Sequence, residues 1–160
     1  MKFGKKRGFS MYEVIVTLSI LGVLSALLIV VSRSAGVNAK DQSGQTLLLA
    51  AESNAQKVII ASLDYPLYPS NMHTLMSVTD LTFVTTASTS ESVVSVFQPD
   101  TNTLVMTILT GNSCWVLIDG GAAQPRWAVA KNPVGSCLAS SINTTSVISV
   151  DRSSPSSISL

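Results

Sequence analysis

An α+β fold is predicted for this chain: one long N-terminal helix followed by a small antiparallel β-sheet head. Three features predict it. An apolar run extends from Phe9 to Val31 and holds a single ionisable group, Glu13. A stripe of apolar residues at helical spacing returns between Thr46 and Leu63. Beyond Tyr68 come short runs rich in Val, Ile, Thr and aromatics, separated by turn residues.

The first run is long enough to cross a bilayer core, which takes about 20 apolar residues in a helix. Lys2, Lys5, Lys6 and Arg7 precede it and few cations follow. That bias predicts a cytoplasmic N-terminus, with the rest of the chain outside. Charged residues make up 12% of the chain and apolar ones 46%. This composition is too apolar for a disordered protein and poor in charge for a cytosolic enzyme. A net charge of +1 argues against bulk nucleic-acid binding. Within the run, Ser19, Gly22, Ser25 and Ala26 are small enough for close helix approach. Gly22 reads first as a packing contact and second as a point of local melting.

In the second stripe Leu47, Ala51, Ala55, Val58 and Ser62 share a face, flanked by Leu48 and Ile59, with Glu52 and Lys57 off it. This is the second half of the helix, resting on a small domain and ended by Pro66 and Pro69. The polar stretch between Gly36 and Gly44 reads as a break or an elbow. Strands are predicted at Leu81–Thr86, Val93–Gln98, Thr103–Thr110, Cys114–Ile118 and Trp127–Ala130, with turns at Pro99–Asn102 and Gly111–Ser113. One face of this meander should lie on the helix. An edge strand is expected near Ser146–Val150, and Ser153–Ser157 as a mobile tail.

The junction at the start of the apolar run reads Lys5-Lys6-Arg7-Gly8-Phe9-Ser10-Met11-Tyr12-Glu13-Val14. A short basic leader ending in Gly, then Phe, then Glu four residues later, then an apolar helix, resembles the prepilin signature. That signature is shared by type IV pilins and by the pseudopilins of type II secretion and competence systems. The resemblance covers about a quarter of the chain. Met11 and Tyr12 stand where aliphatic residues are commoner in that family, and the Pro that many of its helices carry is missing. An ordinary signal peptide is the alternative, with small residues at Ala35, Val37 and Ala39 as its cleavage site. Its apolar stretch would be only about 7–15 residues, and it has no use for Glu13.

The resemblance implies cleavage after Gly8 by a prepilin peptidase and methylation of the new amine on Phe9. It divides the chain into a leader (1–8), a transmembrane and filament-core helix (9–32), its amphipathic continuation (33–65) and a β-rich head (66–160). It also gives Glu13 a role. A carboxylate at the centre of a spanning helix costs about 2.5–3.5 kcal/mol. The cationic Phe9 terminus of a neighbouring subunit would answer that charge in a low-dielectric filament core, and so set the stagger between subunits. The implied partners are the peptidase, the membrane, identical or homologous pilin subunits, and an inner-membrane assembly platform with its ATPase.

Cys114 and Cys137 are the only cysteines, and both fall in the part expected outside. A C-terminal disulfide-bounded loop is common in pilins, and this pair is similar in position; two free thiols are the alternative. A metal site lacks ligands, since no His lies close to the pair. His73 reads as an incidental surface residue. Trp115 and Trp127 read as packing residues, with an exposed Arg126–Trp127 stacking pair as the sharper alternative. Asn143-Thr144-Thr145 fits the glycosylation sequon. No catalytic constellation and no cofactor site emerge. The expected role is a structural subunit of a pilus-like filament serving adhesion, motility or DNA uptake. A pseudopilin is the first alternative, and a membrane-anchored binding module that never polymerises is the second.

Overall fold

The β-rich runs fold in sequence order. The computed structural model of the chain describes residues 10–63, 67–76, 80–121, 123–131, 133 and 136–160, with side chains at 27–34 and 37 excepted. Strands β1 (Thr82–Val84), β2 (Val93–Asp100), β3 (Thr103–Thr110), β4 (Ser113–Asp119), β5 (Arg126–Lys131) and β6 (Ser156–Ser157) form one sheet in the order β1-β2-β3-β4-β5-β6. The central four are the expected antiparallel meander. Two-residue turns join β2 to β3 and β3 to β4. In the first, the Asn102 N–H donates to the Asp100 carboxylate at 2.8 Å. In the second, Gly111 takes φ +56°, a conformation glycine adopts without steric cost. The turn predicted at Pro99–Asn102 is shorter than expected. β2 runs through Pro99, where its register with β3 shifts between Phe97 and Asp100. A bulge is one of the few places a sheet tolerates proline.

Both edges depart from the antiparallel expectation. β1 pairs parallel with β2, Thr82 opposite Val93, and β6 pairs parallel with β5, Ala128 opposite Ser156. Parallel pairing needs a chain that loops back rather than a tight hairpin. Residues 85–92 supply that loop on one side, pinned by Ser88. Its buried hydroxyl donates to the Val93 carbonyl at 2.5 Å and accepts from the Leu109 N–H at 2.8 Å. On the other side the strand expected near Ser146–Val150 contributes a single bridge, Trp127 to Ser149. The tail read as mobile is instead bonded to its surroundings. The Ser156 hydroxyl accepts from the N–H groups of Ile148 and Ser149 at 3.1 and 3.0 Å, and the Ile158 N–H donates to Val129 at 3.1 Å.

Helix α1 spans Met11–Ser62. The backbone is helical at Gly36 and at Gly44. The helix stops one turn earlier than Pro66 requires. Leu63 adopts φ +60° and its N–H reaches the Ile60 carbonyl at 3.3 Å, a left-handed cap made by a non-glycine residue. A second helix, α2 (Met72–Leu75), is one turn long. The chain comprises two units, Met1–Asn38 and Ala39–Leu160.

In the second unit the sheet is covered on both faces. On one, Leu48, Ala51, Ala55 and Ile59 of α1 pack with Leu104, Met106 and Ile108 of β3 and Trp115 and Leu117 of β4. On the other, Val105, Val116, Ile118 and Ala128 pack with Ala139, Ile142 and Val147 of the C-terminal segment, with Ile158 and Leu160 at the margin. Every residue of β4 is therefore buried, which explains its unbroken Cys-Trp-Val-Leu-Ile sequence where a one-sided sheet would alternate. The buried face of α1 is also rotated from the predicted stripe. Leu48 and Ile59 lie at its centre, Leu47 and Val58 at its flanks, and Ser62 is exposed. Gly44 fits this rotation. It lies so close to the sheet that a Cβ there would meet Thr110 Cγ2 at 2.7 Å and Trp115 Cδ1 at 3.3 Å. Next to it, the Trp115 Nε1–H donates to the Asp41 carboxylate at 3.2 Å.

Candidate functional site

From Met11 onward the first unit is helical, and its described large apolar side chains face outward. Met11, Tyr12, Val14, Ile15, Val16, Leu18, Ile20, Leu21, Val23 and Leu24 are all exposed. A continuous apolar surface of this kind marks a site that meets lipid or protein. Three of its hydroxyls are bonded back to the helix. The hydroxyls of Thr17, Ser19 and Ser25 donate to the carbonyls of Val14, Ile15 and Leu21 at 2.9, 2.9 and 2.7 Å. Such back-bonding satisfies these three hydroxyls within the helix and removes their donors from its outer surface. Ser19 and Ser25, read from sequence as small packing residues, thus carry no unmet donor into a dry environment.

Glu13 lies exposed in the first turn of α1, where a carboxylate also complements the positive end of the helix dipole. It is the one acid among the side chains described between Met11 and Ala26. Gly8 and Phe9, the predicted cleavage and methylation positions, lie outside the described residues, as does the Phe9–Glu13 pairing. No helix among the described residues is long and apolar enough to cross a membrane. The predicted span Phe9–Val31 lies partly outside them, at Phe9 and at the side chains from 27 onward.

In the head, Cys114 and Cys137 form the disulfide, with a Cα–Cα distance of 5.6 Å. It joins β4 to the segment ahead of the 3₁₀ turn Ala139–Ser141. Hydrogen bonds reinforce that junction. The Cys137 carbonyl accepts from the Ser88 N–H at 2.8 Å and from the Thr107 hydroxyl at 3.2 Å. Trp115 and Trp127 are both core residues. The exposed Arg126–Trp127 pair is therefore corrected. The Arg126 guanidinium serves the C-terminal layer instead, donating through Nη1 to the carbonyls of Thr144 and Val147 at 3.1 and 3.0 Å. His73 lies half-buried on α2. Asn143 is exposed, and its side-chain oxygen accepts from the Thr145 N–H at 3.1 Å and hydroxyl at 2.6 Å.

The chain matches no known family model, no curated protein and no solved structure.

Sequence reasoning missed one polar cluster. Glu52, placed off the apolar stripe by periodicity, is 8% exposed in the helix–sheet interface. Burial, with the Asp119 carboxylate as a second cause, pushes its carboxyl up from 4.5 to about 7. Its oxygen accepts from Gln56 Nε2 at 3.4 Å. Asp119, at the end of β4, is buried and accepts from the Tyr68 hydroxyl and from the Gly121 N–H, the latter at 3.0 Å. A signal was available. Counting from Leu48 and Ile59, position 52 falls on the buried face of the helix.

Proposed function

We infer that the chain is a subunit of a type IV pilus-like filament, cut after Gly8 and polymerised through its N-terminal helix. The observation that supports this reading is the described start of α1: a helix with exposed apolar residues on every side, three hydroxyls bonded back to it and one carboxylate, Glu13, in its opening turn. Such a surface is costly in water and stable in two settings, the bilayer before assembly and a bundle of sister helices after it. Leaving the membrane for the bundle exchanges lipid contacts for side-chain packing, and pairing Glu13 with the amine of a neighbour's Phe9 removes an unpaired charge. The covalently closed, double-faced head of the second unit suits a subunit surface outside the cell, where disulfides persist.

The test is assembly of Glu13 variants in the native cell. Glu13→Val makes the helix more apolar and should improve membrane retention, yet it should abolish incorporation into filaments sheared from the surface. Glu13→Asp keeps the charge on a shorter arm and should assemble weakly. Normal filament yield from Glu13→Val would refute the pairing.

A further inference from the structure

We propose that a proton holds the second half of α1 on the sheet: Glu52 enters the interface as an uncharged carboxylic acid, and its ionisation beside Asp119 loosens the helix from β3 and β4. The inference concerns the head alone and stands apart from the filament reading.

The geometry supports it in three steps. First, Glu52 lies on the packed face of the helix, within a turn of the fully buried Leu48, Ala51 and Ala55. A charge there has lost its water, and a buried carboxylate is stable only when it is paired or well hydrogen-bonded. Second, no cation among the described residues forms a salt bridge with it. Lys40 pairs with Glu91 at the surface, and Lys57 on the same helix is exposed. The hydrogen bond that Glu52 accepts from Gln56 is long, at 3.4 Å. Third, the titratable group across the interface is another acid. Asp119 of β4 is 2% exposed and has its own donors, the Tyr68 hydroxyl from the segment after α1 and the Gly121 N–H. Two like charges cannot share the site cheaply, so the proton belongs to Glu52.

The direction of the pH effect follows. In the unfolded chain Glu52 ionises near 4.5, whereas in the folded head it holds its proton to about 7. Below 4.5 both states are protonated and this group leaves stability unchanged. Between 4.5 and 7 only the unfolded chain releases the proton, so stability falls as pH rises. Above 7 both forms are ionised and the loss is complete. The folding constant should fall up to about tenfold per pH unit across that window, on the order of a hundredfold in all. A head secreted into an acidic environment would be locked, and one above neutral pH would carry a looser helix.

The experiment uses the full chain in mild detergent. Urea unfolding, followed by the fluorescence of Trp115 and Trp127, is measured from pH 5 to pH 8.5 for the wild type, Glu52→Gln and Asp119→Asn. Wild-type stability should fall toward pH 7 and then level off. Glu52→Gln should flatten that segment of the profile and be the more stable protein at pH 8. Asp119→Asn removes the neighbouring charge and should move the end of the fall to lower pH. Amide exchange over residues 48–59, compared at a single pH of 8, should be faster in the wild type than in Glu52→Gln. Should Glu52→Gln fold poorly, the wild type alone decides. Infrared spectra at pH 6 should contain the carbonyl stretch of a protonated carboxylic acid, lost by pH 8. Absence of that band, or identical pH profiles for the wild type and Glu52→Gln, would overturn the proposal.

Discussion

Gly44 brings the helix hard against the sheet, and adding one methyl group there tests the packing directly. In Gly44→Ala the new Cβ would meet Thr110 Cγ2 at 2.7 Å, Thr110 Oγ1 at 3.0 Å and Trp115 Cδ1 at 3.3 Å. Two effects oppose each other. Alanine stabilises a helix by about 1 kcal/mol relative to glycine. Forcing a methyl into a filled core costs about 1–3 kcal/mol. The net expectation is a loss of roughly 0–2 kcal/mol, a range too wide to be decisive alone. The decisive quantity is the coupling with Thr110. Thr110→Ala deletes both of the closest atoms and removes a buried hydroxyl that has no hydrogen-bond partner among the described residues. That single change should be near neutral, since lost methyl burial offsets relief of the unpaired oxygen. In the Thr110→Ala background only the Trp115 contact remains, and Gly44→Ala should then stabilise by up to about 1 kcal/mol. A double-mutant cycle from urea unfolding should thus give a favourable coupling of about 2 kcal/mol. Effects that add to within about 0.5 kcal/mol would mean that helix and sheet do not meet at Gly44.

Three further substitutions probe other junctions. Leu63→Gly relieves a left-handed residue that is 90% exposed and loses little packing, so it should stabilise the head by about 1 kcal/mol in the same unfolding assay. Replacing both Cys114 and Cys137 by Ala opens the covalent loop and should cost about 3 kcal/mol, and a reducing agent should lower the stability of the wild type but not of that variant. Arg126→Met leaves the Thr144 and Val147 carbonyls without their charged donor. It should cost about 1.5–3 kcal/mol, with amide exchange rising first over residues 142–149.

The strands β2 to β5 were legible because β-branched runs alternate with turn residues, and their cores match the predicted bounds to within two residues. β1 falls within the strand predicted at Leu81–Thr86, but its parallel pairing and the short strand β6 were not legible. β1 and β6 are three and two residues long, too short to display a period, and their pairing depends on the loop that Ser88 pins and on the bonds Ser156 makes. The second layer over the sheet was hidden for a related reason. Ile142, Val147, Ile158 and Leu160 are scattered through a Ser- and Thr-rich segment with no repeat spacing, so no periodicity announced their packing on the sheet. On the helix, apolar periodicity located the buried face only approximately. A close-packed glycine at 44 and a buried acid at 52 both bear on that face, and neither registers in a count of apolar residues. At the N-terminus the Gly8–Phe9 junction is read from residue order alone, while Glu13 and the apolar helix after it are visible as a surface.

The central claim is that this chain is processed and then polymerised. Filaments sheared from cells expressing the full chain, separated from membranes and analysed by intact-mass and N-terminal peptide spectrometry, test it most directly. The account predicts a subunit that begins at Phe9, carries a methyl group on its amine and retains the Cys114–Cys137 bond. A chain still bearing Met1, one starting near Lys40, or processed protein found only in the membrane fraction would contradict it.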